Sequence, residues 1–131
     1  MSLADFRGHK LLLYFYPEAE TPDCTLQAET LRDSRGELAD LGVVSVVGVS
    51  PDPPEVQKRF RDRHDLGFPL LSDAERAVAR TYGVWKEDPQ GRGRIVRSAF
   101  LLAEDGSVID AWYGVRARDT TVKIAFALPI G

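Results

Sequence analysis

Pro17, Thr21 and Cys24 stand at a spacing that reads P-x-x-x-T-x-x-C, and the cysteine is the only one in the chain. One thiol cannot close an internal disulfide or make a CxxC pair. With two histidines it cannot furnish a zinc cage either. Any cysteine chemistry here belongs to a single nucleophilic sulfur. A lone cysteine is ordinarily a small buried hydrophobe, but the position of this one argues for more. Thr21-Pro22-Asp23-Cys24 has the make-up of a helix start: a capping residue, a proline suited to the first turn, and an acid at the positive end of the dipole. A sulfur there meets unpaired backbone N–H groups, which favour the reactive thiolate.

The elements that must hold this sulfur can be read on either side of it. Lys10–Tyr16 is a continuous apolar and aromatic run, the pattern of a strand buried on both faces. A loop from Pro17 to Pro22 follows, so Cys24 falls beyond the end of a strand, where α/β folds place their sites. Ala28, Leu31, Leu38 and Leu41 share one face of the ensuing helix, which Gly42 ends. Val43–Ser50 is a second buried strand, rich in β-branched residues. The spacing then predicts a surface helix from Pro54 to about His64 with Val56 and Phe60 inward, and a short extended stretch at Phe68–Leu71. Asp73 is expected to cap a helix running to about Tyr82, with Ala77, Val78 and Tyr82 as its apolar positions. Lys86–Gly93 reads as a polar loop. Arg94–Ala103 and Ser107–Val115 read as strands joined by a hairpin at Glu104-Asp105-Gly106. Asp119 is expected to cap a last helix to Leu128. Strands alternating with helices, then a hairpin, define an α/β protein: a thioredoxin-like three-layer sandwich with a mixed central sheet flanked by helices.

Composition limits the partners. The 131 residues are one domain's length, and a hydrophobic fraction of 44% builds a core without disulfides or a structural metal. The net charge of −3 argues against nucleic acid. The longest apolar runs, Leu11–Tyr16 and Val43–Val49, fall far short of the roughly 20 residues that span a membrane. Asp5, Arg7 and His9 stand where a secretory signal needs an apolar core, so a cytoplasmic protein is expected.

The pattern Pro17…Thr21…Cys24 resembles the active-site signature of the peroxiredoxins. The longer run Tyr14-Phe15-Tyr16-Pro17 … Thr21-Pro22-Asp23-Cys24-Thr25-Leu26-Gln27-Ala28 … Leu31-Arg32-Asp33 is similar to the bacterioferritin comigratory protein/peroxiredoxin Q subfamily of the AhpC/TSA superfamily. Leu3–Gly8, Gly48–Asp52, Phe68–Asp73, Tyr82–Trp85 and Arg97–Leu102 match later family segments in order, nearly the whole chain. The resemblance implies a thiol-dependent peroxidase. A thiolate attacks a peroxide O–O bond and becomes a sulfenic acid. In that reading Cys24 is the nucleophile, Arg97 is the cation beside it, and the Thr21 hydroxyl, the Cys24 N–H and Arg97 bind the peroxide. Pro17 packs over the sulfur and shapes the pocket. The plainer alternatives are a surface salt bridge for Arg97, a helix cap for Thr21 and a strand breaker for Pro17. No cofactor or metal is implied.

Three departures qualify the resemblance. Many relatives carry a resolving cysteine five positions after the first, where this chain has Glu29. The implied mode is therefore one-cysteine, with an external thiol as partner: thioredoxin, glutaredoxin or a small thiol. Asp23 replaces the usual glycine before the cysteine. The family's N-terminal hairpin has no counterpart before Leu3, which reads either as a genuine shortened form or as a trimmed or misassigned start; residues 1–131 read as a single domain, and a monomer or weak homodimer is expected. The rival reading is a non-catalytic redox sensor or interaction module on the same fold. Elsewhere, Gly91-Arg92-Gly93-Arg94 reads as a solvated loop and Ser50 as a turn residue. His9 and His64 read as isolated and exposed, and Trp85 and Trp112 as core or interface packing residues, either of which could line a substrate groove.

Overall fold

A computed structural model describes residues 8–40 and 42–117, and the backbone alone of Val43 and Val44. The apolar runs become the centre of a five-stranded sheet. β1 (Lys10–Phe15) and β2 (Val43–Ser50) pair in parallel, Phe15 opposite Val49. β3 (Leu70–Ser72) continues the parallel set on the outer side of β2. On the other side of β1 lies antiparallel β6 (Ser98–Leu102), followed at the edge by antiparallel β7 (Val108–Tyr113), giving the order β3-β2-β1-β6-β7. Glu104-Asp105-Gly106 forms the β6–β7 turn as expected, with Gly106 at φ 90° and its N–H bonded to the Ala103 carbonyl.

Strand alternation sends the two halves of each buried run to opposite sides. Leu12, Tyr14 and Tyr16 face a cluster with Cys24, Ala28 and Leu31 of α1 (Pro22–Asp33), Leu38 of α2 (Arg35–Asp40) and Phe60 of α3 (Pro54–Arg63). Leu11, Leu13 and Phe15 face a second cluster with Val47, Val49, Phe100 and Ala79 of α4 (Ala77–Thr81). A small hairpin, β4 (Trp85–Glu87) with β5 (Gly93–Ile95), closes that second layer. The architecture is the expected thioredoxin-like α/β arrangement with a mixed sheet.

Several local expectations are corrected. The single helix from Thr21 to Gly42 is two: Ser34 bonds the Leu31 carbonyl in a tighter turn, and the chain re-enters helix at Arg35. Lys86–Gly93 is the β4–β5 hairpin rather than a free loop. It is held because the Trp85 indole lies over Gly93, where a Cβ would sit 1.8 Å from the ring. The strand expected at Arg94–Ala103 is interrupted at Val96-Arg97, since the chain leaves one sheet for the other there. Asp73 does cap, accepting from the Val78 and Ala79 N–H groups at 3.1 and 2.9 Å, but the helix begins only at Ala77. Its buried residue is Ala79, while Ala77 is exposed. Leu41, Leu3–Arg7 and the expected helix at Asp119–Leu128 lie outside the described residues.

Candidate active site

β6 runs antiparallel to β1 with Ser98 opposite Phe15, so the residue just before β6 lands where β1 gives way to the loop leading into α1. That residue is Arg97. The interruption between β5 and β6 turns its side chain toward the first turn of α1. Its Nη2 donates to Cys24 Sγ at 3.3 Å, and its Nη1 donates to Gln27 Oε1 at 2.7 Å. Cys24 is the third residue of α1, and Gln27 is one turn further on the same face. Cys24 is 1% exposed and belongs to the first core cluster. A guanidinium donating to sulfur at a helix N-terminus is an arrangement that favours negative charge on that sulfur.

A concavity of about 440 Å³ opens beside this pair, lined by Asp23, Leu26, Arg97, Val115, Arg116 and Ala117. Leu26, 45% exposed, supplies apolar surface at its rim.

Thr21 occupies the N-cap position of α1, and its carbonyl accepts from the Thr25 N–H at 2.9 Å. Its hydroxyl makes no cap hydrogen bond, in contrast to the capping role read from sequence. It turns back into the loop and donates to the Glu18 carbonyl at 2.8 Å. With its proton used there, the hydroxyl oxygen retains only acceptor capacity. Pro17 follows the buried Tyr16 and is itself exposed. It lines a different concavity, with Pro51, Asp52, Trp85 and Arg94, rather than the one at Arg97.

The loop between Pro17 and Thr21 is tied down from behind. The Ala19 N–H donates to Asp52 Oδ2 at 2.8 Å, and the Ser50 hydroxyl donates to the same oxygen at 2.6 Å. Gln57 Nε2 bonds the Ser50 hydroxyl oxygen and the Leu71 carbonyl, both at 2.9 Å, and Gln57 Oε1 accepts from the Tyr16 hydroxyl. Ser50 is thus a buried network residue at the end of β2, not a turn residue. His64 is likewise not isolated: its Nε2 lies 3.2 Å from Glu20 in the same loop, and its ring packs on Phe60. His9 is exposed as expected, and Trp85 and Trp112 are half-buried against the two core clusters.

Two tyrosines complete the surroundings of the sulfur. Tyr14 is fully buried, and its hydroxyl has no hydrogen-bond partner among the described residues. Burial pushes its phenol well above the ordinary tyrosine range, with Tyr16 and Cys24 adding to the shift and Arg97 opposing it. Burial likewise raises Tyr16, opposed by its hydrogen bonding with Ser50 and Gln57.

The sequence reading missed Gln27, Asp52 and Gln57. For Gln27 a signal was present: an uncharged polar residue three positions after the cysteine, on the helix face that also carries Ala28 and Leu31. Gln57 has the same kind of signal, lying between the inward-facing Val56 and Phe60.

The chemistry this fold and site define is that of a thiol on a thioredoxin-like scaffold, and comparison with known proteins gives the class. Residues 1–111 match the AhpC/TSA family. The chain is 44% identical over 111 residues to peroxiredoxin Bcp of Escherichia coli K12, covering 82% of this chain and 70% of that protein. It is 38% identical over 125 residues to peroxiredoxin Bcp of Bacillus subtilis 168, covering 91% and 77%. The solved bacterioferritin comigratory protein of Xanthomonas campestris superposes with a TM-score of 0.88 at 32% identity, over 97% of this chain and 82% of that one. The chain belongs to the AhpC/TSA family. Within it the chain is a peroxiredoxin of the bacterioferritin comigratory/peroxiredoxin Q kind, a thiol-dependent peroxidase with a single cysteine.

Proposed function

We propose that Cys24 is the peroxidatic nucleophile for hydrogen peroxide and organic hydroperoxides, working in a one-cysteine mode. The Cys24 thiolate attacks one peroxide oxygen. The O–O bond breaks, sulfur is oxidised by two electrons to the sulfenic acid, and the other oxygen leaves as water or an alcohol after taking a proton. Arg97 holds the thiolate and meets the charge that develops on the departing oxygen. The Cys24 N–H, in the unpaired first turn of α1, is a second fixed donor. Thr21 accepts the peroxide's own hydrogen, since its hydroxyl proton is engaged at Glu18. Pro17 sets the course of the loop as it leaves β1.

An external thiol then attacks the sulfenic sulfur and releases water. The mixed disulfide that results is opened by a second thiol. Glu29 at the position of a resolving cysteine supports this external route, and thioredoxin, glutaredoxin or a small thiol would serve. A lone reduced thiol suits the reducing cytoplasm. A monomer or weak homodimer remains part of the reading.

The observation that carries the reading is the 3.3 Å contact from the Arg97 guanidinium to the Cys24 sulfur at a helix start. The test mixes reduced protein with equimolar hydrogen peroxide and a sulfenic-acid trap, read by intact mass within seconds. Wild type is expected to be trapped rapidly and Cys24→Ser not at all. Arg97→Ala is expected to be slower by about a hundredfold. Trapping no faster than for an ordinary exposed thiol would overturn the reading in favour of a redox sensor or interaction module.

A further inference from the structure

We infer that Asp52 is a positioning residue for peroxide reduction, a role that rests on the reading of Cys24 as the peroxidatic nucleophile. Asp52 touches neither the sulfur nor Arg97 in the contacts described. It acts on the backbone between Pro17 and Thr21. Two donors converge on one of its oxygens: the Ala19 N–H at 2.8 Å and the Ser50 hydroxyl at 2.6 Å. The Ser50 hydroxyl oxygen in turn accepts from the Asp52 N–H at 3.2 Å and from Gln57 Nε2 at 2.9 Å. The carboxylate is therefore fixed to the ends of β2 and α3 rather than left to sample rotamers.

Ala19 is the midpoint of the loop and is itself buried at 7% exposure. The next residue, Glu20, has a φ of 68°, a left-handed conformation that costs a non-glycine residue energy and persists only where neighbours hold it. Thr21 follows directly, and its hydroxyl is aimed by the Glu18 carbonyl within the same loop. Glu20 keeps its side-chain tie to His64, but releasing Ala19 loosens the backbone on either side of it, and with it the Thr21 peroxide acceptor and the entry into α1. A displacement of about 1 Å at a reacting group is enough to cost about a hundredfold in rate.

The prediction separates Asp52→Asn from Asp52→Ala. Both hydrogen bonds fall on a single oxygen, so an asparagine carbonyl can keep them without the charge. Sulfenate formation with hydrogen peroxide is compared with alkylation of Cys24 by iodoacetamide in the same preparations. Asp52→Ala is expected to lose between about tenfold and about a hundredfold in the peroxide rate, with its alkylation rate within about twofold of wild type, and Asp52→Asn to stay within about threefold in both. A general loosening would instead expose the sulfur and raise alkylation. That outcome overturns the inference, as would an Asp52→Asn variant as slow as Asp52→Ala, or an Asp52→Ala variant as fast as wild type. Should Asp52→Ala fail to fold, Ser50→Ala removes the group that fixes the carboxylate. It is expected to show a smaller loss in the peroxide rate alone, and no loss there overturns the inference. Slow trapping in wild type itself would refute the nucleophile assignment, a result distinguishable from all of these.

Discussion

Arg97 and Gln27 divide one task between them at the sulfur. The guanidinium has two N–H groups aimed, one at Cys24 and one at Gln27, and the second bond fixes the direction of the first. Gln27 is completely buried, so its amide oxygen is neither screened nor replaceable by water at no cost. Replacing it by leucine should let Arg97 swing into the adjacent concavity. Trapping of the sulfenate is expected to slow by about tenfold, and urea titration is expected to show a loss of about 1–3 kcal/mol from the broken buried bond. Unchanged trapping in a folded Gln27→Leu protein would mean that Arg97 holds its place alone. At this scale the sequence was most informative where residue type and local position coincide. Cys24 at a helix start and Arg97 ahead of an apolar strand could both be named. Thr21 was legible as an N-cap in backbone terms, but the choice of its hydroxyl between Cys24's helix and the Glu18 carbonyl is settled by loop geometry. Asp52 was invisible because its partner, Ala19, is thirty-three residues away.

The elements that carry the site differ in how much of their stability is local. β1 and β2 are written in apolar residues long enough to admit no other use, and the β6–β7 turn has the glycine its positive φ demands. The α1–α2 break at Ser34 and the β4–β5 hairpin depend on contacts outside their own segments, so periodicity alone does not disclose them. α4 is the extreme case: five residues, a left-handed Arg76 at its N-cap, and a start held by Asp73 from outside the helix. A helix so short has little propensity to spare. Asp73→Ala removes both oxygens that receive the Val78 and Ala79 N–H groups and is expected to cost about 1–2 kcal/mol, measured as a lowered urea midpoint, with Asp73→Asn recovering part of it. Since Ala79 and Val78 brace the second core cluster rather than the sulfur, the trapping rate of Asp73→Ala should stay at the wild-type level.

For the whole molecule, two of the four tyrosines are sealed in the interior as neutral phenols. Their folded pKa values are raised by burial, so the unfolded chain gives up these protons at lower pH than the native one. The stability their neutrality contributes is complete below about pH 10, the unfolded tyrosine value, and drains away as pH rises beyond it. Urea midpoints should therefore fall steadily above that pH. The phenolate absorbance of Tyr14 and Tyr16 should appear only in step with unfolding. Phenolate from Tyr14 and Tyr16 before the loss of circular dichroism would contradict their burial. The same interior contains the sulfur proposed as the nucleophile, packed in one cluster with Leu12, Tyr16 and Ala28 as one more core side chain. On that assignment position 24 must satisfy both the chemistry and the packing. A lineage that no longer needed the peroxide chemistry would still need a small apolar group there. Drift at that position would run to alanine or valine sooner than to serine, leaving a folded descendant whose core remembers the volume of a thiol it no longer uses.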